Sequence, residues 1–257
     1  MIEISHIDKA FHKGTVDEAV VFSDFSLTVQ PGEFVSIVGS NGSGKTTLLN
    51  LICGSDTPDG GHILLDGEDV TKRPEHKRAA LIGRVHQDTR FGTSGELTIL
   101  ENMALADNKG GRYGLLPGIN RRRTDEYRAL LEQCGMGLEN RLGTPVGALS
   151  GGQRQALALV IAAMSELKLL ILDEHTAALD PHTAETVMVL TDRIVREKKL
   201  TALMVTHNLR YAVEYGTRLL MMDKGRAVLD RSGAEKQATR VENLLDLFNQ
   251  ISIECGN

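Results

Sequence analysis

A chain of 257 residues with 41% hydrophobic and 25% charged side chains can fill one sizeable core, and its length predicts a single domain carrying an insertion. The net charge of −5 argues against a nucleic-acid partner, which would call for a basic face. No window reaches the roughly 20 apolar residues that cross a bilayer, so any work at a membrane would go through a partner.

The start, MIEISHIDKAF, lacks the basic head and apolar centre of a secretory signal. The three cysteines, Cys53, Cys134 and Cys255, have no metal-ligand spacing and predict reduced thiols in a cytosolic protein. Apolar residues at Ile2, Ile4 and Ile7, then Phe22, Phe25, Leu27 and Val29, predict an antiparallel β-layer with one wet face. After a Gln30-Pro31-Gly32 turn, residues 34–38 read as a buried strand. It runs into a glycine-rich loop and a helix ending near Cys53. Strands are expected over 62–65, closed by Asp66-Gly67, and over 81–86.

From about residue 88 to 164 the texture turns helical, with patches at 97–106, 124–134 and 152–164. Glycines at Gly110-Gly111, Gly114, Gly135 and Gly137 separate them. The apolar run 156–164 is short and bounded by Arg154 and Glu166, which predicts a buried helix. Alternation then resumes: strand 169–172, helix 184–196, strand 201–205, helix 209–214 and strand 218–222. A Lys224-Gly225 turn leads to strand 226–229, and residues 241–251 carry one apolar helix face. Strands alternating with helices predict an α/β fold, a parallel sheet with helices on both faces. The expected organisation is a core of residues 1–88 and 165–257 interrupted by a helical insertion, 89–164.

The loop Gly39-Ser40-Asn41-Gly42-Ser43-Gly44-Lys45-Thr46-Thr47 has the spacing of a phosphate loop, between an apolar strand and a helix. Glycines at 39, 42 and 44 admit backbone angles and close approach that a Cβ would block. Amide N–H groups and the helix N-terminus can then converge on phosphates. Lys45 supplies charge for the β- and γ-phosphates of ATP, and the Thr46 hydroxyl is the expected Mg²⁺ ligand. Alone, the loop does not separate kinases, GTPases and transport ATPases. Downstream, four apolar residues end in Asp173-Glu174. One acid there would read as a cap or turn; two consecutive acids suggest Asp173 at the Mg²⁺ water shell and Glu174 as the group that polarises the attacking water.

Leu149-Ser150-Gly151-Gly152-Gln153 is far more specific. A serine and two glycines opening a helix form a second phosphate-binding surface. With this signature the chain resembles the ATP-binding cassette (ABC) family over nearly its whole length. The resemblance implies a RecA-like phosphate-loop NTPase core with an antiparallel β-layer and a helical signature subdomain. It also implies a homodimer in which Ser150, Gly151, Gly152 and Gln153 complete the site of the opposing subunit. Residue by residue, Gln87 matches the glutamine that contacts Mg²⁺ and the lytic water. Asp180, in Ala178-Leu179-Asp180, matches the loop that crosses the dimer interface, and His207 the switch histidine of the γ-phosphate. Phe11 is the candidate aromatic for adenine, although a β-layer phenylalanine is commonly core.

The resemblance further implies a peripheral subunit on the cytoplasmic face of the inner or plasma membrane. There it would serve a separate permease and an extracytoplasmic substrate-binding protein, with residues 90–101 lining a groove for a permease helix. Arg121-Arg122-Arg123 could face lipid or permease, or simply be a solvated helix start. His175 stands where many members carry proline or alanine, and the helix after the signature (Arg154-Gln155-Ala156) lacks an arginine common among relatives. With Met204-Val205-Thr206-His207-Asn208, these features resemble a bacterial importer subgroup assigned to aromatic amino acids such as tryptophan or tyrosine. The alternatives are a soluble cassette ATPase of the iron–sulfur cluster assembly type and a DNA-repair cassette. The latter would need a long coiled coil or zinc insertion that this sequence lacks.

Overall fold

The computed structural model describes residues 1–108 and 118–254. It divides into two compact units, residues 1–79 with 200–257 and residues 80–199. Gly110-Gly111, Gly114 and Cys255 lie outside the described residues.

The first unit opens with β1 (Ile2–Phe11) and β2 (Ala19–Val29), paired antiparallel. Strict alternation fails twice in the sequence, between Ile4 and Ile7 and between Phe22 and Phe25. The structure supplies the reason. His6 (φ 53°) and Asp24 (φ 58°) both adopt left-handed backbone, and the pairing register shifts beside them. Each is one extra residue, a bulge that returns the following apolar side chain to the buried face. The His6 amide donates to Ser26 Oγ at 3.0 Å, and the His6 ring lies 2.6 Å from Asp24.

Next come β3 (Phe34–Gly39), α1 (Lys45–Cys53), β4 (Gly60–Leu65), β5 (Glu68–Asp69) and α2 (Glu75–Arg78). β4 pairs antiparallel with β1, which gives a four-stranded sheet in the order β2-β1-β4-β5.

The second unit contains β6 (Ile82–Val85), α3 (Ile99–Asp107), α4 (Thr124–Glu132), α5 (Gly151–Ala163), β7 (Leu169–Asp173) and α6 (Pro181–Glu197). β6 and β7 run parallel, Ile82 opposite Leu169 and Val85 opposite Leu172. α3 starts with a capping box between Thr98 and Glu101. α6 starts with Asp180 as N-cap and Pro181 in its first turn.

The chain returns to the first unit with β8 (Ala202–Val205), α7 (Leu209–Glu214), β9 (Arg218–Asp223), β10 (Arg226–Ser232), α8 (Gly233–Ala238) and α9 (Val241–Glu254). β3 lies between β8 and β9 and is parallel to both, while β10 is antiparallel to β9. A strand flanked on both edges and covered on both faces is expected to be largely apolar, and its one hydroxyl, Ser36, donates to the Tyr215 carbonyl at 3.0 Å. Accordingly, all six residues of β3 are buried.

The far end of α1 is held by a residue that sequence reading passes over. Arg78, with no exposed surface, donates to the carbonyls of Leu51 (2.7 Å), Ile52 (2.9 Å), Thr71 (2.9 Å) and Arg73 (2.7 Å). Leu51 and Ile52 are among the last residues of α1, where carbonyls lack helical partners and the helix dipole is negative. Gly54 closes the helix with φ 83°, and a Cβ there would sit 2.7 Å from Arg78 Nε. Replacing Arg78 with Met orphans three buried acceptors and one part-buried one, and is expected to cost roughly 3 kcal/mol of unfolding free energy. Urea denaturation measures this, and a loss below about 1 kcal/mol would contradict the capping role.

Candidate active site

Between β3 and α1 the backbone turns around its own lysine. Lys45 is 6% exposed, and its ammonium donates to the carbonyls of Gly39 (2.8 Å) and Ser40 (2.9 Å). Those two carbonyls are thereby drawn onto the cation, and the Ser43 amide donates to the Ser40 carbonyl at 3.2 Å. Gly44 caps α1 with φ 100°, and a Cβ there would lie 2.9 Å from the Phe22 ring. At Gly39 a Cβ would lie 2.3 Å from the Met222 carbonyl oxygen. Glycine is therefore required here by contact with neighbours as well as by conformation.

Ser40, Asn41, Gly42 and Thr46 are exposed, Thr47 is half-buried, and the Ser43 hydroxyl is buried without a partner. An exposed helix N-terminus with a lysine at its base suits a polyphosphate. A cavity of about 300 Å³ adjoins the loop, lined by Gly39, Ser40, Asn41, Thr206, His207 and, from α9, Phe248. The first unit thus brings exposed His207 beside the loop. Phe11, at the end of β1, is 37% exposed, with the Lys9 ammonium 4.9 Å from its ring centre.

In the second unit, Asp173 ends β7 and Glu174 follows it with φ 49°. That angle is uncommon for a residue with a side chain, and such backbone concentrates at functional sites. Asp173 accepts a 2.6 Å hydrogen bond from Arg84 of β6, both side chains being mostly buried. Gln87 is exposed two residues beyond β6. Next to it, hydrogen bonds from Arg90 hold the Asp88 carboxyl at a pKa of about 2.

Gln155, buried in α5, donates to the His86 carbonyl at 3.1 Å. The helix behind the signature thus packs through this glutamine, which ties it to the backbone leading into Gln87. Neither Arg84 nor Gln155 is foreseeable from spacing, because each works across elements distant in sequence.

The signature opens α5. Ser150 is its N-cap, with Ser150 Oγ accepting from the Gln153 amide (3.3 Å) and Gln153 Oε1 accepting from the Ser150 amide (3.2 Å). Gln153 also donates to the Met136 carbonyl at 3.2 Å. Ser150 and Gly151 are exposed, whereas Gly152 is buried, and a Cβ on it would meet Thr183 Cγ2 at 2.1 Å. Gly152 therefore sets the close packing of α5 on α6. Asp180 is exposed and accepts from the Thr183 amide at 3.1 Å, and its hydrogen bonds with Thr183 lower its pKa.

In the first unit a glycine-rich loop with a lysine leaves a strand flanked by two parallel neighbours, and in the second a strand ends in two consecutive carboxylates; each is a feature of phosphate-loop NTPases. The ABC transporter family model matches residues 22–177, and the chain belongs to that family. It is an ATP-binding cassette ATPase. It is 45% identical to a tyrosine transport ATP-binding protein of Clostridioides difficile (strain R20291), over 96% of this chain and 98% of that one. The thiamine import ATP-binding protein ThiQ of Escherichia coli (strain K12) is 37% identical over 79% of this chain and 82% of its own. Among solved structures, a dimeric ATP-binding cassette in a post-hydrolysis state with ADP and Pi superposes with a TM-score of 0.75. Its sequence is 28% identical, and the match covers 90% of this chain and 98% of that one.

His175, beside Glu174, is buried, and its Nε2 lies 3.1 Å from Thr191 Oγ1. The Thr191 hydroxyl already donates to the Val187 carbonyl at 2.8 Å, so the imidazole is the donor in this contact. Burial pushes its pKa down to about 4 from 6.5. Below pH 6.5 the unfolded chain takes up a proton that the native site resists until about pH 4. The neutral-site contribution is thus complete above pH 6.5 and lost progressively toward pH 4, on the order of 3 kcal/mol. The variant His175→Gln should lack this component. Urea unfolding of both proteins from pH 7 to pH 4 checks it, and parallel stability curves would contradict it.

Proposed function

We propose that this chain is the ATPase subunit of an importer, working as a homodimer on the cytoplasmic face of the membrane with a separate permease and an extracytoplasmic substrate-binding protein. The relatives named as transport or import ATP-binding proteins support this reading over an iron–sulfur assembly ATPase. Among the described residues no helix is long and apolar enough to cross a membrane, so the permease must be a separate chain or segment. An aromatic amino acid is the proposed solute, on the strength of the tyrosine transport relative.

Residues 89–164 are proposed as the helical signature subdomain within a core of 1–88 and 165–257. Its exposed start includes Phe91, whose ring lies 5.4 Å from that of His86. This segment would receive the permease.

The observation that carries the mechanism is that the loop and the signature each present an exposed helix N-terminus. Gly39 to Thr47 would hold ATP phosphates through backbone amides, with Lys45 turning its charge from the loop carbonyls to the β- and γ-oxygens. Ser150, Gly151, Gly152 and Gln153 of a second copy would close on the same nucleotide, with Asp180 at that interface. Phe11 would stack on adenine. Thr46, Gln87 and Asp173 are the residues that would hold Mg²⁺, which when bound would neutralise phosphate charge. Glu174 would take a proton from the attacking water, and His207 would donate to the γ-phosphate as charge develops.

The variant Glu174→Gln should bind ATP with unchanged affinity, accumulate as an ATP-bound dimer and lose about 10²-fold or more in turnover. Nucleotide titration, size-exclusion chromatography with ATP and phosphate release measure the three. Turnover at the parental rate would remove Glu174 from the mechanism.

A further inference from the structure

β6 and β7 are parallel neighbours with Arg84 opposite Ile171. From that register the Arg84 side chain reaches along the sheet to the end of β7. There its Nη2 donates to Asp173 Oδ2 at 2.6 Å, with the two side chains 14% and 16% exposed. Asp173 Oδ1 has no hydrogen-bond partner among the described residues. The next residue is a second carboxylate, Glu174, so this strand end gathers two acidic groups where water is partly excluded. Consecutive half-buried carboxylates would draw a divalent cation by themselves.

We propose that Arg84 is a positioning residue and counter-ion for Asp173, occupying one carboxylate oxygen so that a divalent cation enters the site only together with nucleotide. This rests on the reading of Asp173 as the metal carboxylate. A guanidinium suits the task because it is permanently charged and holds Oδ2 through a charge-assisted hydrogen bond. It offsets the negative charge of Asp173 while leaving Oδ1 to the metal. The phosphates of bound ATP then supply the remaining attraction, and the strand end alone is a poor cation site.

The test is Mn²⁺ binding to the full chain without nucleotide, read as free Mn²⁺ by electron paramagnetic resonance. Arg84→Gln, which keeps hydrogen bonding but removes the charge, should bind Mn²⁺ about tenfold more tightly than the parent. Arg84→Lys, which keeps the charge, should stay near the parental value. Misfolding would loosen metal binding, so a gain of affinity is not a structural side effect. Arg84→Met serves as a second neutral variant should Arg84→Gln fail to fold. Unchanged or weaker Mn²⁺ binding in a neutral variant with parental circular dichroism overturns the counter-ion role.

Two further variants separate this proposal from the reading beneath it. Adding Asp173→Asn to Arg84→Gln should abolish the gain; a gain that persists places the cation elsewhere and overturns both. Asp173→Asn alone should weaken the Mg²⁺ dependence of ATP binding. If it does so while the neutral Arg84 variants gain nothing, only the counter-ion role fails.

Discussion

The interaction on which the rest depends is the pair of hydrogen bonds from the Lys45 ammonium to the carbonyls of Gly39 and Ser40. A lysine buried to 6% exposure must have its donors satisfied, and here the loop itself does so. In closing on the lysine the loop commits its carbonyls to the cation, which sets the curvature of the loop. The same two bonds keep the ammonium at the base of the loop, so that its charge is held in place by the chain's own backbone.

Neighbouring elements hold that curvature from several sides. β3 is fixed between β8 and β9, so the loop starts from a buried anchor. The Gly225 amide donates to the Ser43 carbonyl at 3.1 Å, and a Cβ on Gly225 would lie 1.8 Å from the Val21 carbonyl oxygen. The β9–β10 turn can therefore press against both the loop and β2 only with glycine at that position. At the other end of α1, Arg78 caps the helix whose N-terminus carries the glycine-rich loop. One short helix is thus secured at both ends, by a lysine folded back into the loop and by a buried arginine.

What the sequence made legible is what local rules determine. The phosphate loop is nine consecutive residues whose glycines, lysine and threonine have separate local reasons. The signature is a serine-capped helix start. β7 is an apolar strand ending in acids, and α7, expected over 209–214, spans Leu209–Glu214. The helix start at Pro181 was expected later, although an Asp-Pro pair is a helix-start signal. Shorter elements such as α2, β5 and α8 carry too few residues for a period to show. The broken alternation in β1 and β2 was visible as spacing, but only the left-handed backbone at His6 and Asp24 explains it.

What stayed hidden depends on register between distant segments. Arg84 meets Asp173 because β6 and β7 align in parallel, 89 residues apart in sequence. Gln155 finds the His86 carbonyl across 69 residues, and Gly152 is a packing glycine against Thr183 as well as part of the signature's helix start. The central claim is that a second copy of the chain must complete the nucleotide site. Its most direct test is the specific ATPase activity measured across a wide range of enzyme concentration. The account predicts that activity per chain rises with concentration and levels off once dimers dominate. Constant activity per chain down to the lowest concentration, from a demonstrated monomer, would contradict it.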